Sequence, residues 1–200
     1  MKTRTLTGGS TLLTLAVPRA GLLWDAILVL GCACLTAASA QVSFWIGAVP
    51  VTGQTFAVLL TGALLGSRRG ALSQLSYIAI GATGIPYWFA LGGPPGIARL
   101  IGPTGGYLIG FVAAAFVVGW LAERSWDRRI WTAIPAMLLG NAVIYIFGMA
   151  WLTQFVPRES LLQAGLYPFL LGDALKVAMA ALAMPVGWSL FNRFSRNKEN

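Results

Sequence analysis

Long uninterrupted apolar runs recur along the whole chain, separated by short clusters of glycine, proline and arginine. The runs are continuous rather than alternating, so they predict apolar helices and not the strands of a β-barrel. Six spans follow from hydropathy and turn signals: about 24–45, Thr55 to Gly66, Ala71 to the "GATGIP" turn, 104–122, 131–151 and 168–192. A membrane crossing needs about 20 residues, so the second run is short and must tilt, break or sit inside the bundle. The fold predicted is an all-α integral membrane bundle of six transmembrane helices. Residues 1–23 form an N-terminal arm with a short amphipathic segment, 24–192 the bundle, and 193–200 a basic tail.

Charge placement orients the bundle. Lys2, Arg4 and Arg19 precede the first span; Arg68 and Arg69 follow the second; Arg124, Arg128 and Arg129 follow the fourth; Arg193, Arg196 and Lys198 follow the sixth. These eleven of the fourteen basic residues fall on one side, which the positive-inside rule makes the cytoplasm. Both termini are then cytoplasmic, as an even number of spans requires.

Composition narrows the function. The chain of 200 residues is 57% hydrophobic and 10% charged, with a net charge of +8. Its basic residues flank apolar runs as membrane-surface anchors do, so nucleic acid is not the implied partner. Histidine is absent, which removes histidine triads and histidine metal sites; no metal or cofactor is expected. Cys32 and Cys34 lie two apart in one run, on different sides of a helix, and read as small packing residues rather than a disulfide. Lysine occurs only at 2, 176 and 198, and none follows a GxxxxG, so a P-loop ATPase is excluded. The pairs Ala33/Ala37, Gly62/Gly66 and Gly106/Gly110 are each four apart, a spacing that lets helix backbones approach closely.

Three basic residues stand apart from the clusters. Arg158 neighbours Glu159 in a solvated loop. Lys176 lies within the sixth run, three residues after Asp173. An ionisable group in hydrocarbon costs about 2.5–3.5 kcal/mol on insertion scales, so it persists when paired or facing a cavity. Asp173 and Lys176 share a helix face, about 9 and 13.5 Å from the Tyr167 end at 1.5 Å per residue. They read either as a structural ion pair or as a polar patch in a pocket open to the outside. There the carboxylate accepts and the ammonium donates to a ligand carrying both N–H and C=O groups. Asn141 lies midway along the fifth run with Tyr145 one turn further out; Asn141 reads as interhelical glue or as a ligand contact. Arg99 stands alone in the glycine- and proline-rich stretch "GGPPGIARLIGP". It reads as a surface arginine or as a bidentate partner for a carboxylate, in a loop folded over a mouth. Tyr107 follows near the outer end of the fourth run. In the uncharged loop "VSFWIGAVPVTGQTF", Trp45 reads as an interface anchor or a pocket wall, and Gln54 as a helix cap or a ligand contact.

Three separated stretches, "PVTGQTFAVLLTGALLGSRRGALSQLSYIAIGATGIPYWF", "GPTGGYLIGF" and "PFLLGDALKVAMA", together resemble the BioY family, the biotin-binding S-components of energy-coupling-factor transporters. The resemblance covers roughly 30–192 and excludes the arm. It implies a substrate pocket near the outer face of a bacterial cytoplasmic membrane. It also implies partner chains, a transmembrane T-component and two ATPase subunits, with helix one docking through an Ala-xxx-Ala stripe that Ala33 and Ala37 match. Where the family motif commonly reads Pro-Val-Thr-Leu-Gln, Gly53 replaces leucine. Taken with biotin, Asp173 would accept ureido N–H bonds and Asn141 and Lys176 would address the ureido oxygen or other polar edges. Arg99 would hold the carboxylate, and Tyr107 and Tyr145 would pack the rings. An S-component for another vitamin, or a relative transporting biotin without the ATPase module, are the alternatives.

Overall fold

The computed structural model describes residues 11–13, 21–46 and 49–197, so most of the predicted N-terminal arm and the last three residues of the tail lie outside the described residues. The described chain is mostly helical. Its elements are α1 (Leu22–Ala40), a hairpin of β1 (Ser43–Ile46) and β2 (Val49–Thr52), α2 (Gln54–Leu65), α3 (Ser67–Ala82), the short α4 (Ile97–Ile101), α5 (Gly105–Ala122), α6 (Ile130–Leu152), the short α7 (Leu161–Gly165) and α8 (Tyr167–Asn197). Among the described residues, α1, α5, α6 and the helical stretch Arg158–Phe194 are long and apolar enough to cross a membrane. This makes the chain a multi-pass membrane protein.

The short second run is α2, 12 residues long or about 18 Å at 1.5 Å per residue. It sits inside the bundle, with Ala57, Val58, Leu59, Thr61, Gly62 and Ala63 all buried. Small residues make this possible. A Cβ at Gly62 would lie 2.6 Å from the Ala115 carbonyl of α5, and one at Gly70 of α3 would lie 3.0 Å from the Gly62 Cα. Gly110 of α5 likewise faces the Ile144 backbone of α6. The glycine pairs therefore serve internal packing.

Several boundaries differ from the hydropathy reading. The first helix ends at Ala40 rather than 45, because residues 43–52 pair as an antiparallel hairpin with Ser43 opposite Thr52 and Ile46 opposite Val49. The third helix begins at Ser67, so Arg68 and Arg69 lie in its first turn and not in a loop. Gly66, with φ of +85°, makes the reversal between α2 and α3 that a β-carbon would strain. Glu123 caps the new helix, accepting from both the Ser67 N–H and hydroxyl at 2.8 Å, where an acidic group complements the helix N-terminus. Residues 193–197 of the predicted tail continue α8; arginine is a good helix former, and leaving the apolar run does not end the helix.

Packing separates two clusters. One, with Leu59, Val118, Met137, Val177 and Met184, fills the end near the α5–α6 connection. There Trp188 of α8 donates to Asp127 at 2.6 Å and the Arg128 guanidinium lies 4.6 Å over its ring. Arg69 of the same end pairs with Asp25 at 2.8 Å. The other cluster, with Tyr77, Phe89, Tyr107, Phe111, Ile144 and Phe169, surrounds a cavity at the hairpin end. The basic clusters described and the cavity thus occupy opposite ends of the bundle.

Candidate ligand-binding site

The cavity has about 530 Å³ of empty space, counting its mouth. Strand β2 contributes Thr52, the start of α2 Gln54 and Thr55, α4 Arg99, α5 Tyr107 and Phe111, α6 Ile144 and Tyr145, and α8 Phe169, Asp173 and Lys176. Elements far apart in sequence converge here because α2, α5 and α8 begin, and α6 ends, at this end of the bundle.

Asp173, 3% exposed, is the hub of the polar part. Its Oδ1 accepts from Lys176 Nζ at 2.8 Å and from the Thr55 hydroxyl at 3.1 Å; its Oδ2 accepts from the Tyr145 hydroxyl at 2.6 Å. Lys176 Nζ also donates to the Thr52 carbonyl at 2.5 Å. Asp173 and Lys176 form an ion pair and also line the cavity, a geometry compatible with either reading of the pair. A ligand N–H reaching this carboxylate would compete with the long Thr55 contact first. Gln54 is not a helix cap. Its amide oxygen accepts from the Thr52 hydroxyl at 2.7 Å and its Nε2 donates to the Tyr77 hydroxyl.

Arg99 is not a surface residue. It sits in α4, 5% exposed, with Nη1 donating to the Gly92 carbonyl at 3.3 Å. Its own carbonyl accepts from the Thr104 hydroxyl at 3.2 Å. Burial lowers its pKa from the usual arginine value, opposed by the nearby Tyr77; a guanidinium nonetheless stays charged. Tyr107 spends its hydroxyl on the Gly165 carbonyl at 2.8 Å and turns its ring toward Phe169, centroids 6.3 Å apart. It offers a fixed apolar wall rather than a free donor.

A cavity with a buried cation, a mixed Asp/Lys/Tyr set and aromatic walls suits a small anionic ligand carrying its own N–H and C=O groups. The BioY family model matches residues 9–193. The chain belongs to the BioY family. It is 41% identical over 148 residues to the probable biotin transporter BioY of Pyrococcus horikoshii, covering 74% of this chain and 86% of that one. It is 36% identical over 149 residues to the biotin transporter BioY of Thermotoga maritima, with the same coverage of 74% and 86%. The crystal structure of the S-component for biotin from an ECF-type ABC transporter superposes with a TM-score of 0.71 at 22% identity, covering 82% of this chain and 89% of that chain. That likeness is one of fold.

Two groups of residues in this BioY-family chain are placed differently from the expectation. Asn141 does not line the cavity. It is buried on α6 one turn from Tyr145, with its side chain against the Tyr145 hydroxyl, so it stands behind the cavity wall. Ala33 and Ala37 are 0% and 7% exposed and belong to the chain's own core, packed against neighbouring helices of the bundle. The small residues that α1 does expose are Ala26, Gly31, Cys34 and Ala38; Cys34 and Ala38 lie one residue along from the predicted pair.

Other residues of the cavity and its surround were not singled out from sequence. Thr52, Thr55, Phe89 and Phe169 line the cavity. Tyr77 lies behind it, fully buried. Its signal was present: Ser73, Gln74 and Tyr77 put polar groups on one buried face of α3, as a helix does when that face meets other polar groups. Gly53, where the family motif commonly has leucine, abuts the end of α1: a Cβ there would lie 2.7 Å from the Ser39 carbonyl.

Proposed function

We propose that this chain is the biotin-binding S-component of an energy-coupling-factor transporter. The observation that carries the reading is one cavity lined by both Arg99 and the Asp173, Lys176 and Tyr145 set, with Arg99 and Asp173 buried and Lys176 and Tyr145 half-buried. Biotin presents a carboxylate on a flexible chain, a flat ureido group and an apolar sulfur ring. Arg99 holds the carboxylate in a bidentate contact. Asp173 accepts from the ureido N–H groups, and Lys176 donates to the ureido oxygen. Tyr107, Tyr145 and Phe169 enclose the ring system. Gln54 fixes the hairpin base that supplies the Thr52 carbonyl to Lys176. Asn141 acts through Tyr145, keeping its hydroxyl aimed at Asp173.

Six crossings, with the basic end and both termini in the cytoplasm, fit this role, because the cavity then opens outward to capture substrate. The chain has no P-loop lysine, so ATP hydrolysis falls to two ATPase subunits acting through a transmembrane T-component. The exposed Cys34 and Ala38 on α1 offer that component a small-residue face four residues apart. Calorimetry of the purified chain in detergent with biotin, thiamine and riboflavin tests the reading. Saturable binding of biotin alone is expected; binding of another vitamin in its place would overturn it.

A further inference from the structure

Tyr77 is fully buried and makes its contacts away from its own helix. Its hydroxyl accepts from Gln54 Nε2 and lies 3.4 Å from the carbonyls of both Trp88 and Phe89. Its backbone carbonyl accepts from the Trp88 indole N–H at 2.8 Å. The Trp88 ring stacks on it at 6.0 Å and the Phe89 ring meets it edge-on at 5.4 Å. One turn along α3, Gly81 leaves room for the same two residues: a Cβ there would collide with the Phe89 ring and lie 2.6 Å from Trp88 Cδ1. Residues 85–101, which carry Phe89, the Gly92 carbonyl and Arg99, are thus clasped onto α3 at one point.

The clasp is continuous with the deep polar set. From Tyr77 the hydrogen bonds run through the Gln54 amide to the Thr52 hydroxyl, and the Thr52 carbonyl takes Lys176, which pairs with Asp173. Packing alone does not require this hydroxyl, since phenylalanine would fill the same space. Its partners are two carbonyls of the cap and one side chain of the cavity wall.

We propose that Tyr77 is a positioning residue that couples seating of the 85–101 cap to the polar set around Lys176 and Asp173, so that a ligand held at depth is retained by a cap closed on α3. The ligand part of this inference rests on the biotin reading above; the clasp itself does not.

The test uses the full chain with Cys32 and Cys34 replaced by alanine and Ala90→Cys, a cap position 6% exposed, as a reporter for a membrane-impermeant maleimide. Tyr77→Phe and, separately, Gly81→Ala are compared with the parent, with and without biotin. Losing one neutral hydrogen-bonding group corresponds to about 2- to 13-fold. Tyr77→Phe should label Ala90→Cys faster by that order without ligand, and release biotin faster by a similar factor; Gly81→Ala, which sets a methyl against the Phe89 and Trp88 rings, should move both in the same direction. Lys176→Met should raise labelling when Tyr77 is present and add little to Tyr77→Phe, a non-additivity that simple loss of packing would not produce. Unchanged labelling and unchanged release in both variants would overturn the proposal, as would full additivity with Lys176→Met. If the parent bound no biotin while labelling still responded, the biotin reading would fall and the clasp would stand. Should Tyr77→Phe not fold, Gly81→Ala carries the same comparison.

Discussion

Replacing Asp173 by asparagine separates the two jobs of the buried pair. The carboxylate serves donors on both oxygens: Lys176 and Thr55 on Oδ1, and Tyr145 on Oδ2. An asparagine has one oxygen and one NH₂. Whichever way it turns, the NH₂ faces either the lysine or the tyrosine hydroxyl. It also removes the charge that balances Lys176, which keeps the Thr52 carbonyl and, in one of the two orientations, the amide oxygen. Breaking a buried ion pair by removing one partner costs about 3–5 kcal/mol. Lys176 keeps that carbonyl and its side chain is 16% exposed, so the low end, about 3 kcal/mol, is expected. If biotin reads this set, affinity falls by about 100-fold or more, since each 1.4 kcal/mol is tenfold.

The double variant Asp173→Leu with Lys176→Met then discriminates. Apolar replacement of both partners of a buried pair is often near neutral for stability. Here it leaves the Tyr145 hydroxyl and the Thr52 carbonyl short of a partner, so recovery of thermal stability should be partial. Binding should not recover at all. The assay is thermal unfolding in detergent alongside biotin calorimetry for parent, single and double variants. A double variant binding biotin within tenfold of the parent would refute the recognition role and leave a purely structural pair. A single variant as stable and as tight-binding as the parent would refute the argument from donors and charge.

Arg99→Ala should weaken biotin binding by about 10- to 100-fold, as for loss of hydrogen bonds to a charged group, while leaving binding of biotin amide nearly unchanged; equal losses for both ligands would count against the carboxylate contact. Ala38→Trp should leave biotin binding intact and abolish association with a T-component, measured by co-purification. Gly62→Val, placing a Cβ 2.6 Å from the Ala115 carbonyl, should cost about 1–3 kcal/mol or more of stability through overpacking, read as a lower unfolding temperature. Asp127 gives a pH signature. Its burial raises the carboxyl pKa, opposed by the Trp188 N–H and the Arg128 charge, so the folded chain binds this proton more tightly than the unfolded one. Its contribution is then most favourable at low pH and declines as pH rises from about 4 through the raised value. Asp127→Asn should gain on the parent across that window and then run parallel; a constant offset from pH 4 upward would contradict the sign.

What the sequence disclosed and what it hid divide along one physical line. Hydropathy locates apolar helices well where they face lipid or core, and α5 and α6 begin and end within about one residue of the expected spans. Ionisable residues in such runs must find a partner or a cavity, which singles out Asp173 and Lys176; Arg99, Tyr107, Tyr145 and Gln54 join them on loop placement, helix spacing and the family resemblance. The hairpin at 43–52 escaped because short apolar strands and apolar helix ends share the same pattern. Helix phase was the deeper limit. Spacing says that Ala33 and Ala37 share a face, but a shift of one residue turns the face by about 100°, and packing of α1 against its neighbours is what buries that pair and exposes Cys34 and Ala38. Asn141 shows the same limit: one turn from Tyr145 on the same helix, it is not among the residues that line the cavity. Tyr77 is the extreme case. A tyrosine near a helix end is ordinary in a membrane protein, and its part in the site exists only through the carbonyls of Trp88 and Phe89 and the amide of Gln54. Periodicity finds residues that must be buried; which other element buries them is decided by backbones that approach closely at glycines such as Gly62 and Gly119, and by rings seated against glycines such as Gly81.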